Sequence, residues 1–156
     1  MFRRAYRTRL DRILAAVEIP AIGLWLGALC GFAFIFAPAA FRLVPDVTQF
    51  ASLIATNLRV LGDVGAICGG LAIVVALARS FDAADRTSDI VRAGLILIAL
   101  LLVGYDTFAI VPAMAAITDV HSPDFAELHQ HSTQIYGGVV VLVLAALVMA
   151  AVRGDA

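Results

Sequence analysis

The feature that most limits this chain is a set of four long apolar runs, nearly free of charge, packed into 156 residues. A bilayer core of ~30 Å takes ~20 apolar residues as a helix. The runs fall at Ile19 to Phe41, Val60 to Ala78, Ala93 to Ile117 and Gln134 to Val152, and each can continue as helix beyond the lipid. The expected fold class is therefore all-α, an integral membrane four-helix bundle forming a single transmembrane domain over residues 1–156. Composition agrees. With 62% apolar and 15% charged residues and a mean hydropathy of +0.98, a soluble domain of this length could not clothe its surface. A net charge of −1 without a basic stripe excludes a nucleic-acid binder, and two cysteines exclude a disulfide scaffold. Cys30 and Cys68 fall inside the first and second runs, where each serves as a small hydrophobe.

Orientation follows from the basic residues, all of which are Arg. Arg3, Arg4, Arg7, Arg9 and Arg12 precede the first run, Arg79, Arg86 and Arg92 bracket the middle connection, and Arg153 follows the fourth. The other side holds only Arg42 and Arg59. By the positive-inside rule both termini are cytoplasmic, in a multi-pass protein of the cell (inner or plasma) membrane. A cleaved signal peptide ending at Ala37-Pro38-Ala39 is the competing reading, but the run is too long for an h-region and three more runs follow.

Lipid gives helices no hydrophobic reason to associate, so small residues are the usable packing signal. Gly23, Gly27 and Gly31 form one stripe on the first helix, and Gly65 and Gly69 a second on the next. These stripes predict close packing, either of the two helices on each other or on a second subunit in a homo-oligomer. There is also a faint internal echo, in which Phe34 and Pro38-Ala39 match Phe108 and Pro112-Ala113.

A charge at membrane depth needs a partner, water or a task. Asp106 stands alone in the third run, Arg59 and Asp63 are four apart on the second helix, and Glu127, His129, His131 and Gln134 lead into the fourth. Alternating helix direction puts Asp106, Asp63, Arg59 and the two histidines in one layer near the outer face. Arg59 and Asp63 read as an ion pair on one helix. Asp106 must find Arg59, a histidine or water, or hold a proton. Glu18 reads as an interfacial carboxylate near Arg12. On the fourth helix, Asp124, Glu127, His131 and Gln134 share one face, while Phe125, His129, Ser132 and Tyr136 share its neighbour. A metal held by His129 or His131 is conceivable, although the spacing matches no metal motif and solvated residues explain it equally well. No cofactor is expected.

Taken together, Trp25 with Gly31-Phe32, then Pro38 and Phe41, Pro112 six residues after Asp106, and Phe125, Leu128, His129 and Ser132 resemble the transmembrane-protein-205-like family of small four-helix membrane proteins, from about Ile22 to Gly138. The family has no settled activity, and a eukaryotic member's link to drug export implies at most transport or trafficking. The resemblance implies that the polar position at Asp106 is often Asn, so ionisation there is not general to the family. It favours His129 with Phe125 and Ser132, where spacing with carboxylates favours His131.

Three functional readings follow. The first is a non-enzymatic bundle acting through a protein partner, lipid or its own oligomer. The alternative is a small transporter or ion-handling protein using Asp106 with His129 or His131. The third, a haem-binding redox protein, is weakened because the membrane-level histidines lie on one helix.

Overall fold

The structure, a computed structural model, describes residues 2–81 and 86–154, with side chains placed for 12–81 and 86–152. Arg3, Arg4, Arg7, Arg9 and Arg153, on which the orientation argument leans, lie outside the described side chains. No strand occurs among the described residues. The first span is α1 (Phe2–Gly31), a π-helical turn (Phe32–Phe36) and α2 (Ala37–Leu43). The second is α3 (Val47–Ser80). The third comprises α4 (Arg86–Tyr105), a second π-helical turn (Asp106–Ile110) and α5 (Val111–Ala115), and the fourth is α6 (Pro123–Gly154). Each has a stretch long and apolar enough to cross a membrane.

The helices of the second and fourth spans begin well before the apolar runs at Val60 and Gln134. Local caps account for this. Asp46 ends an extended backbone and accepts a hydrogen bond from the Gln49 N–H at 2.8 Å. Ser122 accepts from the Phe125 N–H at 3.2 Å, with Pro123 at the first helical position. Both caps start a helix in polar sequence that then runs unbroken into the apolar part.

Each span packs on the spans before and after it, and the first closes on the fourth. The first and third thus stand diagonally across a square bundle. Its core gathers Ile22, Trp25, Leu29, Ala72, Ile96, Ala99, Val139, Val143 and Ala146. Trp25 is fully buried and fills the centre because the second span offers no side chain there. A Cβ at Gly65 would sit 2.8 Å from Trp25 Nε1, and one at Gly69 would sit 3.0 Å from Trp25 Cζ3. Gly65 and Gly69 are therefore the seat of the indole. The stripe on the first span behaves differently. Around Gly23, Gly27 and Gly31 nothing lies within 4 Å of the built Cβ, so this face is unpartnered in the single chain.

The internal echo extends through both hairpins at a constant separation of 74 residues, with no insertion. Buried positions Glu18, Ile22, Trp25 and Leu29 of the first span correspond to Arg92, Ile96, Ala99 and Val103 of the third. Leu58, Gly65, Gly69, Ala72 and Ala76 of the second correspond to Ser132, Val139, Val143, Ala146 and Ala150 of the fourth, again all buried. The π-helical turns coincide as well, each ending two residues before a proline (Pro38 or Pro112). A proline ring crowds the carbonyl four residues earlier and brings no N–H, and a widened turn relieves the crowding.

Candidate functional site

Two layers of buried polar groups lie about 21 Å apart along the bundle, the rise of the helix from Arg92 to Asp106. One sits where the first and third spans begin and the second ends. Glu18, fully buried, accepts from Arg92 Nε at 2.7 Å and from Arg79 Nη1 at 3.1 Å, and Arg92 also bridges to Asp89 at 2.8 Å. The Glu18 to Arg92 contact crosses the bundle diagonal. The expected pairing of Glu18 with Arg12 at a wet interface is therefore corrected. The distant Arg79 and Arg92, read from sequence as connection charges, turn inward and neutralise it.

The other layer is built by the π-helical turn of the third span. Asp106 is fully buried, and neither carboxyl oxygen has a hydrogen-bond partner. The fourth span brings Ser132 and Tyr136 to it, and Thr107 follows Asp106 on the same turn. The Ser132 hydroxyl faces the Asp106 carboxyl, and Tyr136 lies beside both Asp106 and Thr107, close enough to interact but outside hydrogen-bond geometry. Thr107 Oγ1 and Tyr136 Oη are likewise buried without partners. On the second span, Gly62 lies beside Thr107, since a Cβ there would sit in ordinary contact, 3.7 Å from Thr107 Oγ1.

The turn also exposes backbone. The Val111 N–H bonds the Asp106 carbonyl five residues back, and Pro112 has no N–H to give. The Thr107 carbonyl is thereby skipped by the ladder. Such widened turns recur where helices serve function.

Of the residues expected in one polar layer, only Asp106 faces the interior. Arg59, Asp63, Glu127, His129, His131 and Gln134 are exposed, and no ion pair joins Arg59 to Asp63. His129 stacks on Phe125 with ring centroids 6.2 Å apart, on the outside of the fourth span. His121 lies in the exposed turn before that span, near Asp119. Among the described residues no three His, Cys, Asp or Glu side chains converge as a metal site. Asp106 thus meets hydroxyls rather than charges. The sequence signal for Ser132 and Tyr136 was the helical face they share, but periodicity does not say which face turns inward.

Residues 21–123 match the family model described as "Domain of unknown function (DUF4149)", which is more than half of the chain, and the protein belongs to that family. The resemblance to the transmembrane-protein-205-like proteins is carried only as far as a small membrane family of uncharacterised function. No curated protein and no solved structure matches the chain.

Proposed function

We propose that this member of the DUF4149 family is a non-enzymatic, ion-handling protein of the cell membrane, and that the Asp106 carboxyl is its working group. The supporting observation is the complete burial of Asp106 with both oxygens unpartnered. An ionised carboxyl so placed costs several kcal/mol unless it holds a proton or a cation. A carboxyl kept only for structure would have been given a basic partner, as Glu18 is. Both termini face the cytoplasm in this reading, which the Arg distribution supports, so the Asp106 layer lies toward the outer face. Vesicles containing purified protein test it. Wild type should dissipate an imposed proton or sodium gradient faster than empty vesicles, and Asp106→Ala should abolish the difference. Equal rates for wild type and Asp106→Ala would remove the reading.

A second reading, action through self-association, is favoured by the unpartnered face of Gly23, Gly27 and Gly31. Crosslinking in membranes checks it. If Gly27→Leu leaves the oligomer distribution of wild type unchanged, that face is lined by lipid.

A further inference from the structure

The atoms around Asp106 narrow the ligand. Every unpartnered side-chain atom there is oxygen: both carboxyl oxygens of Asp106, Oγ1 of Thr107 and Oη of Tyr136. The Ser132 hydroxyl faces the same carboxyl. The skipped Thr107 carbonyl adds a backbone oxygen from the same turn. Oxygen-only donors suit hard cations and disfavour zinc or copper, which call for imidazole or thiolate. Charge then decides among the hard cations. Among the described residues of this layer Asp106 supplies the one formal charge, so a monovalent ion leaves the site neutral, whereas calcium or magnesium would leave an uncompensated positive charge in an apolar surround. A broken helical ladder with free carbonyls at membrane depth is also a general means of coordinating sodium in membrane proteins. Trp25 Nε1, also unpartnered, lies over Gly65, and as an N–H donor it offers a cation no ligand.

We propose that Asp106, Thr107, Ser132 and Tyr136 bind one sodium ion between the second, third and fourth spans. The inference rests on the reading of Asp106 as the working group and adds the identity of its ligand. Binding to the folded state alone raises the melting temperature as ligand is added. Purified protein in mild detergent should therefore melt at higher temperature in sodium chloride than in choline chloride of equal ionic strength, and the shift should saturate. Asp106→Asn, close in shape but uncharged, should lose the shift. Ser132→Ala and Tyr136→Phe should each raise the half-saturating sodium concentration by about tenfold, the loss of one good oxygen contact.

A wild-type melting temperature that is equal in sodium and choline overturns the proposal, and because this needs no variant it stands even if Asp106→Asn does not fold. A response to calcium in place of sodium overturns it too, as does a sodium shift retained in Asp106→Asn. The two readings separate on a pH series. A melting temperature that depends on pH in wild type but not in Asp106→Asn, together with indifference to sodium, keeps Asp106 as the working group and removes sodium. Indifference to both removes both.

Discussion

The two buried polar layers are built from the same helices, yet they solve the problem of polar groups in an apolar bundle in opposite ways. At one end, Glu18 and Asp89 meet Arg79 and Arg92, so among the described residues positive charge faces negative across three spans. At the other, Asp106 meets Thr107, Ser132 and Tyr136, none of which carries a compensating charge. A balanced cluster holds a fold in register, but it has nothing left to offer a ligand. An unbalanced one weakens the fold and gains by taking something up. On the proposed reading, the first layer serves structure and the second exchange.

Substitutions can break that contrast. The largest effect is expected from Arg92→Met, which takes from Glu18 its contact across the diagonal and from Asp89 its bridge within the third span. Removing one partner of a buried ion pair costs about 3–5 kcal/mol, and unfolding of purified protein in denaturing detergent should reveal it as a sharply lowered midpoint. Next comes Asp106→Leu, with the opposite sign. Replacing an orphan polar group should stabilise the apo protein by about 1–3 kcal/mol in the same assay while ending ion handling in vesicles. If both substitutions destabilised alike, the two layers would not differ in kind. A double change, Glu18→Gln with Arg92→Gln, sharpens the comparison further. It should cost about 0.5–3 kcal/mol less than the sum of the single changes, because the two residues share one contact. The smallest effect belongs to Tyr136→Phe, which removes a hydroxyl without a partner and should shift apo stability by less than about 0.5 kcal/mol.

Much of the fold was legible because lipid imposes a length on every span. What sequence could not supply was direction around each helix. Asp106 stood out as the single charge within its apolar run, whereas Ser132 and Tyr136 share a face with His129, and only packing shows that the buried side runs through Ser132, Val139 and Val143. The histidines and Glu127 drew attention through their chemistry, yet they sit on the exposed side. Glu18 was matched to Arg12 because a helix advertises neighbours a few residues away, while its real partners are 61 and 74 residues distant. Arg79 and Arg92 belong to connections by position and to the interior by orientation. The glycines divide for a similar reason. Both stripes look alike in sequence, and only the placement of Trp25 shows that Gly65 and Gly69 hold an indole while Gly27 faces outward.

The correspondence between the two halves carries one more consequence. Two identical hairpins set around a two-fold axis would bring like against like at their meeting point, carboxylate against carboxylate or guanidinium against guanidinium. Here the matched positions are Glu18 and Arg92, and they bind each other. The matched positions of the other layer differ as well, Phe32 for Asp106 and Leu58 for Ser132, so the polar side chains of one half are replaced by apolar ones in its counterpart. Joining the hairpins in one polypeptide is what permits this. Each half can specialise, and the two act as unlike partners written on a single thread.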